Sequence, residues 1–507
     1  MEPTYTNPII DADWPDPDAI RVGERYVMIT SSFNRSPGLP VLTSTNLVDW
    51  NIASHAVPRL LPEEHFGLVR PGGGIWAPSI RHHDGTYFIV YPDPDHGVFV
   101  VTATDPAGPW SEPHLLFAER GAIDPCPVWD EDGRTYLIHA WAPSRSGMGN
   151  RLDMLEVSPD LRRVLSPRRT VIDGDAVPGC HTLEGPKLYV ARGYRWIFAP
   201  AGGVATGWQS VFRATSWEGP WEHRVVLAQE DTDVNGPHQG AWVTTPGGED
   251  WFLHFQDRGP FGRVVHLQPL SWTEEGWPVI GEPVRDGTSG RPVASHRTPD
   301  FLPREEVSPA TSDSFTATEL GLQWTFAANP PANAYRLDGE GRLALRCLPN
   351  DHDDLRALPQ ALTQPVPGQA SRTRVELQLT GTGTARAGLA VLGVETLWVG
   401  LRRDAAGRTL LVAEHSAAGA THRELLPAHE LAPGEDAHLA LCVEIDGAGL
   451  ARLSWELPDA ASAPSEGVAI TAGRWVGAEL ALFAAAPFGE TGNEEAFFSS
   501  FMVEAQE

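Results

Sequence analysis

Apolar residues along this chain gather in short β-rich runs broken by Gly and Pro. Few stretches hold the i, i+3, i+4 spacing of an amphipathic helix. The pattern predicts an all-β protein. Before residue 300 the runs follow one plan: a polar or aromatic residue, often beside Pro, a short β-rich run, a Gly turn, then an aromatic-rich run. Five segments carry it, led by Asp16, Trp76, Asp124, Glu184 and His238, with turn glycines at 23, 85, 133, 193 and 248. Spacings of 62, 48, 60 and 55 residues between those glycines lie near the ~50-residue period of propeller blades. A five-bladed β-propeller over residues 1–295 is therefore expected. A sandwich of unrelated hairpins, the bland alternative, leaves the shared period unexplained.

Residues 286–312 are rich in Gly, Pro, Ser and Thr, and 296–312 is assigned as a linker. Beyond it Trp thins out, with 14 of 18 before residue 300. Runs with partial apolar/polar alternation appear instead, such as Thr373–Leu379 and Ala440–Ile445. They predict an antiparallel β-sandwich over 313–507, with one wet face per sheet. Two domains suit 507 residues, since single cores stop growing near ~250–300.

Composition narrows the partners. Acids outnumber bases 66 to 38, a formal charge of −28. Such a surface repels nucleic acid and anionic membranes, and a neutral or cationic ligand is easier to accept. Lys187 is the only lysine, and no function is read from that. The first residues lack the basic and apolar segments of a secretory signal, and no run of ~18 apolar residues exists. Four scattered cysteines form no metal or disulfide pattern. A reduced, cytoplasmic protein is expected. The oligomeric state stays open, a homo-oligomer included.

In a propeller the innermost strand of each blade lines the central channel, so residues at one phase of the repeat reach one height. The five lead residues sit 7, 9, 9, 9 and 10 positions before their turn glycines. If the ring closes, three carboxyls, an aromatic and a histidine meet at one mouth. Asp-Pro is also common in turns for local reasons, but three acids in phase favour a shared site. Like charges at close range push at least one carboxyl pKa up. Glycoside hydrolysis uses such a set, one acid for the leaving oxygen and one carboxylate for water. Asp13 and Asp18 lie near Asp16 and are read as local turn and strand polarity.

These residues sit in familiar motifs. Asn7-Pro-Ile-Ile, Trp14-Pro-Asp-Pro-Asp-Ala-Ile-Arg, Ile75-Trp-Ala-Pro-Ser-Ile, Ala122-Ile-Asp-Pro, Glu184-Gly-Pro and Gly262-Arg-Val-Val-His-Leu-Gln follow one another over residues 7–300. The chain thereby resembles glycoside hydrolase family 43, five-bladed propellers acting on β-xylosides and α-L-arabinofuranosides. Its rear part, opening with Leu320-Gly-Leu-Gln-Trp, resembles the jelly-roll, concanavalin-like sandwich of one family branch.

The resemblance implies that Asp16 is the general base, Glu184 the general acid and Asp124 the residue that tunes and orients the acid. It implies inversion in a single displacement. Trp76, Ala77, Phe33, Arg263 and His238 match sugar-contacting or channel positions; the rigid guanidinium fork of Arg263 suits a diol. No cofactor is required. In some members a channel histidine like His238 belongs to the surroundings of a Ca²⁺, which leaves a structural Ca²⁺ near His238 open. The chain reads Gly202-Gly-Val-Ala where many β-xylosidases carry Gly-Gly-Thr, so sugar contacts there differ.

The expected activity is exo-acting and inverting, releasing xylose or arabinose from small oligosaccharides. Two rivals stand beside it. A retaining fructan hydrolase of the invertase type needs Asn-Asp-Pro-Asn-Gly, Arg-Asp-Pro and Glu-Cys, which this chain lacks. A non-catalytic carbohydrate-binding propeller would not need the three acids. Cys126 lies two residues after Asp124 and Cys180 four before Glu184. Both thiols are therefore expected at the channel wall, open to a bulky thiol reagent.

Overall fold

Gly23, Gly85, Gly133, Gly193 and Gly248 all stand at positive φ, between 63° and 86°. A Cβ at any of them would meet nothing within 4 Å, so backbone conformation rather than crowding selects glycine there. Each turn joins the two innermost strands of a blade. The computed structural model describes residues 2–284, 287–305, 307–350, 354–417, 422–432, 439–487, 489–490 and 492–506.

Among the described residues, five antiparallel sheets form the blades. Their innermost strands are Asp18–Val22, Ser79–His83, Ala122–Trp129, Lys187–Ala191 and His238–Thr244. Four of these sheets have four strands; the fourth blade carries two extra short strands, Glu282–Pro283 and Gly290–Arg291. Blade faces are apolar, and they close the ring by packing on each other. One apolar cluster lies at every blade junction: Met28 with Leu253, Val27 with Ile80, Val90 with Leu137, Ile138 with Leu188, and Phe198 with Phe252.

The chain's start fastens the last blade to the first. Thr4–Thr6 pairs with Ser295–Arg297, Ile10 bridges Val265, and the Tyr5 hydroxyl donates to Leu267 O at 2.8 Å. The chain then runs along the propeller, where the Arg304 side chain pairs with Asp49.

The second domain is a sandwich of two sheets. Ser371–Leu379 alternates strictly between buried and half-buried positions, which turns Val375, Leu377 and Leu379 into the core. Against them pack Leu389, Val391, Leu480 and Leu482 of the opposite sheet. The domains are sewn together. Ser36 bridges Phe326, Asn329 exchanges hydrogen bonds with Leu60, and Arg35 pairs with Glu479. No helix among the described residues is long and apolar enough to cross a membrane.

Candidate active site

Asp16, Trp76, Asp124, Glu184 and His238, the five lead residues, all line one hollow at the propeller mouth. Phe33, Ala77 and Arg263 line it too, so all eight residues expected to catalyse or to contact sugar line the hollow. The hollow is small, about 90 Å³. A larger cavity of about 340 Å³ lies between the domains. It shares Phe33 with the hollow but lacks Asp16, Asp124 and Glu184, so the chemistry belongs to the smaller one.

The backbone is bent to aim these groups. Asp16, Phe33, Asp124 and Gln239 hold φ of 57°, 49°, 55° and 39°. Left-handed backbone of this kind costs about 1–3 kcal/mol per residue and collects at functional sites. The inner strand of the third blade slips register between Ile123 and Cys126, and that of the fifth between His238 and Gly240. Both irregularities fall on pocket residues, as β-bulges that redirect side chains do.

Asp16 is 4% exposed. The Ser31 hydroxyl donates to its Oδ2 at 2.5 Å, and Arg263 Nη1 donates to Oδ1 and Oδ2 at 2.9 and 3.1 Å. Both carboxylate oxygens are thus engaged, by one guanidinium and one hydroxyl. Asp124 is 2% exposed and accepts the Gly185 N–H at 2.7 Å. Burial first, then the charge of Glu184, pushes Asp124 up to about 7; Gly185 and Lys187 oppose this. Glu184 is the open member, its side chain 22% exposed, with Oε1 3.3 Å from His238 Nε2. The trio thus holds one carboxyl paired with a cation and a hydroxyl, Asp16, and one buried carboxyl that keeps its proton to near neutral pH, Asp124.

The family model "Glycosyl hydrolases family 43" matches residues 5–278, and "Beta xylosidase C-terminal Concanavalin A-like domain" matches 312–504. The chain belongs to family 43 of the glycosyl hydrolases. It is an O-glycosyl hydrolase of that family. A putative beta-xylosidase of Xylanibacter ruminicola is 38% identical over 79% of this chain and 73% of its own length. A non-reducing end alpha-L-arabinofuranosidase of Bacteroides ovatus is 30% identical over 68% of this chain and 65% of that protein. The crystal structure of a xylan beta-1,4-xylosidase from Bacillus halodurans superposes with a TM-score of 0.85. It covers 98% of this chain and 100% of that one at 24% identity, a likeness of fold.

The family 43 hollow also holds residues the sequence did not single out: Ile123, Val204, Gln239 and Trp475. Ile123 and Gln239 adjoin lead residues, and Val204 lies in the Gly202-Gly-Val-Ala segment. Trp475 comes from the sandwich. Its ring centroid stands 6.1 Å from Trp76 and 6.0 Å from the Arg263 guanidinium carbon. Trp76 itself donates Nε1–H to Gly72 O at 3.0 Å, with its ring 6.3 Å from Phe33.

Three expectations need correction. Cys126 is fully buried, with Arg81 Nη2 2.9 Å and Leu188 N 3.2 Å from its sulfur, so it lies below the hollow and out of reach. Cys180 is half-buried beside Asn150 and does not line the hollow. Asp18 is more than strand polarity: it is buried, accepts the Ile80 N–H and pairs with Arg81, tying the first blade to the second.

Ca²⁺ prefers several oxygen ligands. His238 offers buried ring nitrogens, and no group of three or more His, Cys, Asp or Glu able to hold a metal occurs among the described residues. These residues do not fit a dedicated Ca²⁺ site.

Proposed function

We propose that this family 43 enzyme removes single xylose or arabinose units from the ends of small oligosaccharides, with inversion. The convergence of Asp16, Asp124 and Glu184 in one small hollow carries the reading. About 90 Å³ is far below the roughly 300–1,000 Å³ of pockets for drug-sized ligands, which suits one sugar ring rather than a chain. Trp475 and Trp76 wall the hollow and favour an end-on substrate. The similarity to proteins named beta-xylosidase and alpha-L-arabinofuranosidase supports both pentoses as candidates.

In this mechanism Asp16, positioned by Arg263 and Ser31, takes a proton from water as the oxygen attacks the anomeric carbon. Glu184 gives its proton to the departing glycosidic oxygen as the old bond breaks. Asp124 sets when that proton is held, through its charge and through Gly185. Arg263 has donors beyond the Nη1 it gives to Asp16, and these serve sugar hydroxyls.

The test is hydrolysis of aryl β-D-xyloside and aryl α-L-arabinofuranoside, with NMR reading of the first product anomer. Inverted product is expected. Glu184→Gln is expected to lower kcat by roughly 10²–10⁴-fold while sugar binding persists in calorimetry. Retained configuration would refute the mechanism, and no hydrolysis of either glycoside by the unaltered protein would refute the activity.

A further inference from the structure

We infer that Asp13 is a positioning residue: its carboxylate anchors the sandwich loop that carries Trp475 to the propeller backbone at Arg263. The inference rests on the reading of the hollow as a sugar site.

Asp13 Oδ1 accepts the Arg263 N–H at 2.7 Å, and Oδ2 accepts the Gly477 N–H at 2.8 Å. One side chain thus binds both domains. Arg263 is the residue that holds Asp16, and Gly477 lies two residues after Trp475. The backbones come unusually close here. A Cβ on Gly262 would lie 2.2 Å from Asp13 Oδ1, and one on Gly477 would lie 2.7 Å from Gly262 N. Glycine at 262 leaves room for the carboxylate, and glycine at 477 lets the two backbones approach. Alongside, Ala478 N donates to Pro260 O at 2.7 Å.

On its other side the same loop rests on the second blade's approach. A Cβ on Gly72 would meet Arg474 and Trp475 atoms at 2.8–2.9 Å. Trp475 is held at φ 66°, a backbone conformation that a free loop would leave. Trp475 is 44% exposed and lines the hollow, so the loop's anchors decide where its ring stands.

The chemistry requires a carboxylate. Two N–H donors converge on two acceptor oxygens, and an amide offers one acceptor and an NH₂ that would face a second N–H. Asp13→Asn therefore keeps the size and loses one anchor. Because Asp13 meets Arg263 through its backbone N–H and touches none of the three site carboxyls, the loss should fall on sugar binding.

Steady-state kinetics on the two aryl pentosides test this in Asp13→Asn, Trp475→Ala and the double variant. The expected result is a KM about tenfold higher in Asp13→Asn with kcat within about threefold. The double variant should be no worse than Trp475→Ala alone, since contacting residues of one unit are non-additive. A fall in kcat at unchanged KM, or multiplied effects in the double variant, would overturn it. If Asp13→Asn does not fold, Gly477→Ala takes its place, crowding Gly262 with Asp13 intact. The same KM rise supports the inference, and an unchanged KM overturns it. No turnover by the unaltered enzyme would remove the sugar-site reading and this inference together. Turnover without the KM split would remove this inference alone.

Discussion

The Gly185 N–H donates to Asp124 Oδ2 at 2.7 Å, so the residue after Glu184 is tied to the carboxyl that Glu184 repels. Glu184 and Asp124 stand on neighbouring blades, and this bond fixes their separation. With burial and Glu184 pushing it up to about 7, Asp124 keeps its own proton to near neutral pH. Activity should therefore decline above about pH 7. Asp124→Asn removes this titrating group, so the basic limb of kcat near pH 7 should be displaced, with kcat itself down by roughly 10²-fold. A pH–rate profile in both forms checks it; a basic limb that stays in place contradicts the role.

The same carboxyl weakens the fold. Its folded pKa lies above the ~3.9 of an unfolded Asp, so the native state binds more protons between those values. Asp124 thus contributes stability that is present below about pH 4 and lost as pH rises through about 7. Asp124→Asn should melt at a higher temperature than the parent at pH 8, and the gain should shrink towards pH 4. Thermal unfolding at both pH values measures this. An equal or lower Tm at pH 8 would mean that the buried charge is fully compensated.

Much of the site was readable because a propeller converts position within a repeat into height along the channel. Five residues chosen by phase alone reached one hollow. What escaped depends on contacts between distant segments. Trp475 arrives from a domain whose sequence carries no propeller phase, and only docking through Asp13 and Gly72 brings it to the pocket. Lys187 drew no reading as the single lysine. Yet it is fully buried, and its Nζ donates to Pro78 O at 2.9 Å and Ser79 Oγ at 2.8 Å on the second blade. Burial at that depth follows from blade closure, which composition does not report. Asp18 was misread for the same reason, since its partner Arg81 belongs to the next blade.

Arg263 is a sensitive point. Its Nη1 reaches both oxygens of Asp16, and its guanidinium carbon lies 4.9 Å from the Phe255 ring centroid. Lys brings one point charge and no planar fork. Arg263→Lys should lower kcat/KM by about tenfold or more, and Arg263→Ala by a larger factor. A kcat/KM within about threefold of the parent in both variants would show that Ser31 alone holds the base.

Thiol chemistry separates depth from proximity. Cys126, Cys347 and Cys442 are buried, and only Cys180 of the four cysteines is partly accessible. The thiolate is the reactive form, and burial together with Asp175 raises the Cys180 pKa, so modification should be slow and speed up with pH. The folded enzyme should therefore react with about one equivalent of a bulky thiol reagent, and denaturant should expose four. Cys180 sits with Asn150 and outside the hollow, so activity should survive the modification. Cys180→Ser should abolish labelling of the folded form. Inactivation in step with labelling, relieved by substrate, would instead place a reactive thiol at the pocket and contradict the burial of Cys126.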